Sequence, residues 1–298
     1  MKAKSILAVG SIALDEIETP QDERQEILGG SAMYFSVAAS LFAPVSLVGI
    51  VGSDYPEEGW QLFQEHNIDV HDVQRVPGET FRWGGRYSQD FSTRETLYTH
   101  LGVFENFQPI LSKKNRAAEI IYLGNIQPSL QLTICANFSG AHHIISDTMN
   151  LWIEHNREEL QVVLQKTHTF LINDEEAAQL TGLHDLEAAA RWLLEAGPSA
   201  VVIKKGSAGA LLVTADTQRH IPIYPHAQQV DPTGAGDSFA GGLIGHIANR
   251  GGTDLEAAVI NGAATASYAV EGFGLEGLLK ATPAGVLSRG DAIRNLMD

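Results

Sequence analysis

Short apolar runs alternate with amphipathic or small-residue stretches along most of the 298-residue chain. Ile6-Leu7-Ala8-Val9-Gly10 reads as a strand closed by a glycine, and residues 45–51 read as a second strand. Residues 119–123, 143–146, 169–172, 200–203 and 210–213 are further apolar runs of strand length. Residues 31–41 are rich in Ala and Ser with one apolar face, which predicts a helix. Helical spacing also marks 56–66, with Trp60 and Phe63 on one side, and 153–164, 174–180, 185–196, 238–249 and 255–270. Strand then helix, repeated, with strands that are apolar throughout, predicts a mostly parallel sheet covered on both faces, an α/β/α sandwich.

One region breaks this rhythm. Residues 79–101 are polar and aromatic, and alternate through Trp83-Gly84-Gly85-Arg86-Tyr87 and Thr96-Leu97-Tyr98-Thr99 like antiparallel strands with one wet face. Residues 12–27 supply the other half of such a sheet. A small sheet inserted above the ends of parallel strands is well placed to act as a lid. No repeat and no low-complexity tract divides the chain, so one domain over residues 1–298 is expected.

Composition narrows the function. Hydrophobic residues at 44% and charged residues at 19% describe a chain that folds around a core. A formal net charge of −16 repels nucleic acid and anionic membranes, so neither is an expected partner. The single cysteine, Cys135, excludes an intrachain disulfide and any CxxC metal site, and its neighbours Leu132 and Ile134 predict a buried, inert thiol. No stretch approaches the 18 apolar residues of a membrane span. Met1-Lys2-Ala3-Lys4 leads into a short strand rather than a signal-peptide core, and a cytoplasmic protein is expected. The sequon Asn137-Phe138-Ser139 carries no meaning in that compartment.

The chemistry concentrates in Asp231-Pro232-Thr233-Gly234-Ala235-Gly236-Asp237-Ser238-Phe239. A helix follows, with Phe239, Leu243 and Ile247 on one face and Ala240, Gly241, Gly242 and Gly245 opposite. Gly234 and Gly236 let the backbone turn tightly and approach a ligand. The free amides of a helix start, with its dipole, make an anion site. An aspartate inside an anion site makes sense as a base beside a phosphoryl group in transfer. The same string also fits a Gly-rich turn with Asp237 as a helix cap.

This string resembles the C-terminal signature of the PfkB (ribokinase-like) carbohydrate kinase family. Four further segments match in order: Gly10-Ser11-Ile12-Ala13-Leu14-Asp15, Gly29-Gly30 before the first long helix, Asn173-Asp174-Glu175-Glu176, and Gly206-Ser207-Ala208-Gly209. The resemblance implies a ribokinase-like fold and a kinase that uses ATP and Mg²⁺ on a hydroxyl of a sugar or sugar derivative. A nucleoside kinase of adenosine type is the alternative. It implies Asp237 as the base and the amides of Gly234, Ala235 and Gly236 as the anion hole. Asn173 and Glu176 would organise Mg²⁺ largely through water, although Asn followed three residues later by Glu is also a helix capping box. Lys205, Gly206, Gly209 and Asn261 would bind the nucleotide, with Lys204 standing where relatives often have Thr; Lys204 or Lys205 could reach a phosphate. Asp15, Gly29 and Gly30 would contact the sugar. Tyr34, absent from ribokinase-type chains, could stack on a sugar face or a base, or belong to the core. Asp147 and Asn150 resemble an Asp-x-Asn strand end. Asp231 and Thr233, with the backbone of residues 270–274, could hold a monovalent cation. Arg82 and Arg94 fall on the lid and are expected in solvent. Relatives pair their lid edges, so a homodimer through the lid is expected.

Two motifs are decoys. Gly272-Phe273-Gly274-Leu275-Glu276-Gly277 fits G-x-G-x-x-G but follows a helix rather than a strand, so the dinucleotide mechanism lacks its context. His142-His143 has no further ligand spacing. A sensor that binds a sugar or nucleotide without turnover is the rival outside catalysis, and it has no need of Asp237.

Overall fold

A computed structural model of the chain describes residues 3–91, 93–138, 143–250 and 254–297. His142 and Ser139 of the sequon lie outside the described residues. The elements are β1 (Ile6–Val9), β2 (Ala13–Glu18), β3 (Glu23–Gly29), α1 (Ser31–Ser40), β4 (Val45–Val51), α2 (Glu57–Glu65), β5 (Asp69–Arg75), β6 (Phe81–Tyr87) and β7 (Arg94–His100). They continue with β8 (Ile120–Leu123), α3 (Pro128–Cys135), β9 (His143–Ser146), α4 (Asn150–His155), α5 (Arg157–Leu164), β10 (Thr169–Asn173), α6 (Asp174–Thr181), α7 (Leu186–Glu195) and β11 (Ala200–Lys204). Then follow β12 (Ala210–Thr214), β13 (Gln218–Ile221), α8 (Ala235–Arg250), α9 (Leu255–Ala269) and α10 (Pro283–Arg294).

The described residues form a nine-stranded sheet of order β13-β12-β11-β10-β9-β8-β1-β4-β5 and a four-stranded sheet of order β3-β2-β6-β7. From β11 through β5 all neighbours are parallel, and β12 runs against both of its neighbours. Alternate side chains of the large sheet divide between two faces. Ile6, Ala8, Leu47, Tyr122, Leu171 and Val202 pack under α1, α8 and α9, while Leu7, Val9, Val48, Ile121 and Leu123 pack on the other face with Ile134 and Cys135 of α3. Phe170, Ile172, Val201 and Ile203 join α4 to α7 on that second face. This is why the central strands are apolar at every position.

The small sheet is the expected lid. The chain leaves the large sheet after β1 to make β2 and β3, and again after β5 to make β6 and β7. β2 pairs parallel with β6, and each then pairs antiparallel with its hairpin partner.

α1 and α8 have no polar face. Nine of the ten α1 residues are buried, and α8 lies against α1 on its small-residue side. A Cβ on Gly241 would lie 2.5 Å from the Phe35 carbonyl oxygen, and one on Gly242 would lie 2.3 Å from Thr265 Oγ1. Phe35 of α1 stacks on Tyr122 of β8, with ring centroids 3.9 Å apart and planes 11° from parallel.

Two expectations change, and four elements lie outside them. The helix predicted over 153–164 is two helices, α4 and α5, broken at Asn156, whose side chain bonds Glu159. α8 begins at Ala235 rather than Ser238, which puts Asp237 in its first turn. β5 and β13 escape the apolar-run criterion because each forms a border of the sheet and carries polar residues such as His71, Gln74, Arg219 and His220. α3 and α10 open on Pro128 and Pro283, which pre-set the first turn. Cys135 is buried, and burial pushes its thiol up to about 11.

Gly241→Val will force α1 and α8 apart and destabilise the protein by about 1–3 kcal/mol. Denaturant unfolding measures this, and an unchanged midpoint would show that the close approach carries no stability.

Candidate active site

The C-terminal ends of β1, β8, β9, β10 and β11 and the start of α8 converge under the lid, the edge where open parallel sheets bind ligands. The loop from Asp231 to Gly234 is stapled from beneath. Fully buried Asp231 accepts the Thr233 amide on one carboxylate oxygen (2.8 Å) and the Gly274 amide on the other (2.9 Å). Gly234 has φ +72°, and a Cβ there would lie 2.3 Å from the Tyr34 ring. The ring of Tyr34 is therefore a floor for the loop. It is 1% exposed and packs within the core beneath α8. Among the described residues the Gly234 and Gly236 amides meet no protein acceptor, whereas the Ala235 amide is spent on the Pro232 carbonyl (3.1 Å).

Asp237 is half-buried and accepts a long 3.5 Å bond from the Tyr122 hydroxyl. Desolvation, helped by repulsion from Asp147, pushes its carboxyl up to about 7 against the pull of Lys204. Lys204 lies at the end of β11, where its ammonium donates to Asp147 Oδ2 at 2.7 Å. Asp147 Oδ1 takes the Thr148 amide at 2.9 Å, so both of its oxygens are engaged by protein.

Asn173 and Glu176 form the capping box of α6. The Glu176 amide donates to Asn173 Oδ1 (2.7 Å) and the Asn173 amide to Glu176 Oε2 (2.9 Å). Burial pushes the Glu176 carboxyl up to about 7. Lys204 and Arg94 pull against that rise, and one or two such oxygens suit Mg²⁺, which keeps several waters.

On the acceptor side Asp15 is 4% exposed, accepts the Gly30 amide, and is pushed up to about 7, first by burial. Gly29 is required beside it, because a Cβ would lie 1.9 Å from Asp15 Oδ2. Gly30 at φ +91° turns the chain into α1. Asp15 stands opposite Trp83 in the β2–β6 register, so both side chains share the inner face of the lid. Trp83 lies over Gly85, whose added Cβ would meet the indole at 2.0 Å, and Arg94 approaches the ring to 5.3 Å. Further along β6, the Tyr87 hydroxyl meets Thr233 Oγ1 at 3.0 Å, which fastens the lid to the Asp231–Gly234 loop.

The remaining expected residues lie as follows. Gly206 and Gly209 have positive φ and turn β11 into β12, closed by the Lys205 amide on the Gly209 carbonyl (2.7 Å). The Lys205 ammonium contacts His220, so Lys204 and not Lys205 reaches the Asp237 cluster. Asn261 spends its amide on the Gly242 carbonyl (2.7 Å), joining α9 to α8. Asn150 bonds Gln179 on α6. Arg82 turns to Glu26 and Asp54, whereas the charge of Arg94 bears on Tyr87 and Glu176. His143 stacks on His168, and among the described residues no His, Cys, Asp or Glu cluster of three holds a metal-binding arrangement. The Gly272–Gly277 segment serves as the anchor that offers the Gly274 amide to Asp231. Sequence reasoning missed Tyr122, Tyr87 and Trp83 as site residues. The available signal was a hydroxyl inside an otherwise apolar strand for Tyr122, and alternation along β6 for the other two.

The chain matches the pfkB family carbohydrate kinase over residues 4–281, and it belongs to that family. It is 35% identical to the aminoimidazole riboside kinase of Salmonella typhimurium, covering 82% of this chain and 81% of that one. It is 29% identical to the cytidine kinase of Thermococcus kodakarensis, over 80% of this chain and 87% of that one. The crystal structure of the Methanocaldococcus jannaschii nucleoside kinase, described as an archaeal member of the ribokinase family, superposes with a TM-score of 0.79. It is 22% identical and covers 97% of this chain and 99% of that chain. The chain is thus a phosphotransferase of ribokinase fold; kinases of this family use ATP with Mg²⁺. Among the described residues no helix is long and apolar enough to cross a membrane.

Because the folded-state value of Asp237 lies above its unfolded value near 4, its contribution to stability is full below about pH 4 and lost as the pH rises through 7. Asp237→Asn carries no charge to desolvate. The unliganded variant will therefore melt at a higher temperature than the parent at about pH 8, and the gap will narrow toward about pH 5. Equal melting temperatures at both pH values would contradict the desolvated carboxylate.

Proposed function

We propose that the acceptor is the ribose hydroxyl of a nucleoside, with ATP as donor and Asp237 as base. The observation that carries the acceptor class is the pairing of Asp15 with Trp83 on the inner face of the lid. A buried carboxylate accepts hydroxyl hydrogen bonds from a sugar, and an indole within reach offers a flat apolar surface for a base. Gly29 leaves room for the Asp15 carboxylate itself, which a Cβ there would meet at 1.9 Å. Two relatives named for cytidine and for aminoimidazole riboside agree with this reading.

The acceptor hydroxyl gives its proton to Asp237 as its oxygen forms a bond to the γ-phosphorus and the bond to the ADP oxygen breaks. The Gly234 and Gly236 amides, with the N-terminal dipole of α8, hold the charge on the moving group. The Lys205–Gly209 turn receives the nucleotide. Glu176 and Asn173 would hold Mg²⁺, which supplies charge neutralisation at the phosphates when bound. A monovalent cation beside the Asp231–Gly274 staple would stiffen the same loop, and a rise of kcat with K⁺ over a large organic cation would test it.

A turnover screen with MgATP is expected to give kcat/KM at least about tenfold higher for a nucleoside than for free ribose or hexoses, the worth of one stacked base. Higher kcat/KM on a free sugar would overturn the acceptor assignment. Trp83→Ala is expected to raise KM for the nucleoside about tenfold and to leave free-ribose KM unmoved. Asp237→Asn should lower kcat by about 10²–10⁴-fold; parent-like turnover would remove Asp237 as base.

A further inference from the structure

We propose that Lys204 is a catalytic residue, an ammonium fixed at the edge of the anion hole where it bears on the phosphoryl group in transfer. The proposal rests on the assignment of transfer to Asp237. Its first support is position. A Cβ on Gly236 would lie 3.3 Å from Lys204 Nζ, so the ammonium stands beside the backbone that carries the free Gly236 amide. Its second support is anchorage. Asp147 grips Nζ at 2.7 Å and is itself held by the Thr148 amide, while Gln131 Nε2 donates to the Asp147 carbonyl at 3.0 Å. The Lys204 side chain is 18% exposed and that of Asp147 5%, so the pair is held in a site shielded from bulk water.

The third support is charge. Asp147, Glu176 and Asp237 all act on this ammonium, and the pair alone leaves a negative balance around it. Besides pairing with Asp147, the ammonium lies against Gly236 in the first turn of α8 and feels the charge of Asp237. An ammonium has three donors and Asp147 takes one, which leaves two for phosphate oxygens. In the transfer the acceptor O–P bond forms, the P–O bond to ADP breaks with its electron pair, and the acceptor proton passes to Asp237. Lys204 keeps its proton throughout and opposes the charge gathering on the equatorial oxygens.

A double-variant cycle separates catalysis from structure. Removing one partner of a buried ion pair destabilises, whereas removing both is often close to neutral. Lys204→Met is expected to lower kcat by about 10²–10³-fold, with KM for ATP changed by less than about fivefold. The double variant Lys204→Met with Asp147→Asn should recover the parent's melting temperature and yet stay as slow. Return of kcat to within about threefold of the parent in the folded double variant would make Lys204 a structural partner of Asp147 and overturn the proposal. Calorimetry with MgADP and aluminium fluoride gives a readout free of turnover. Lys204→Met should weaken the aluminium fluoride complex about 100-fold more than it weakens MgADP alone, matching the loss in kcat. Equal weakening of both also overturns the proposal. The Asp237→Asn variant, run alongside, reports separately on the base.

Discussion

The structure depends on concentrating negative charge where water is scarce. Asp15, Asp147, Glu176 and Asp231 are buried, and Asp237 is half-buried, all around the start of α8. Against them stand the Lys204 ammonium and the amides of Gly30, Thr233 and Gly274. Desolvation is the largest influence on Asp15, Glu176 and Asp237, and it drives each toward its neutral form. Such a site is poised for positive charge and for protons. Burial of this kind disfavours the charged carboxylates and raises their affinity for a proton.

The fold bears this cost through rigid supports beneath the loop. Tyr34 underlies Gly234, Asp231 ties the loop to Gly274, and the Phe35–Tyr122 stack holds the hydroxyl that faces Asp237. These contacts join α1, β8, α8 and the segment after α9, elements far apart in the chain. Small residues on α8 permit the close helix packing on which the position of its first turn depends. The lid completes the enclosure from above. Asp15 reaches the cleft on β2, and Tyr87 on β6 fastens to the same loop that Tyr34 supports.

Much of this was legible along the chain. Continuous apolar runs gave the parallel strands, alternation over 79–101 gave the lid, and the glycines around Asp237 pointed to the tight turn at the start of α8. What escaped detection shares a physical cause. β5 and β13 border the sheet, so half of each faces water and no apolar run appears. The helix over 153–164 kept its spacing across Asn156, where the backbone leaves the helical region at φ −129° and ψ 33°. Tyr34 resembled a ligand platform because an aromatic residue next to a Gly-Gly turn has the same spacing whether it faces a cleft or a core.

The sequence by itself determined the order of strands and helices, the place of the inserted sheet, and the glycines and carboxylate at the start of α8. These follow from hydrophobic periodicity and from the few residues able to adopt tight turns, which are local properties. Only the tertiary structure decided that Lys204 rather than Lys205 joins the Asp147–Asp237 cluster, that Tyr34 is floor and Trp83 shares a lid face with Asp15, and that Arg82 pairs with Glu26 and Asp54 while Arg94 bears on Glu176. Those outcomes depend on which side of a strand meets which neighbour. A shift of one residue reverses that choice, and it is made by packing between segments that are not neighbours in the chain.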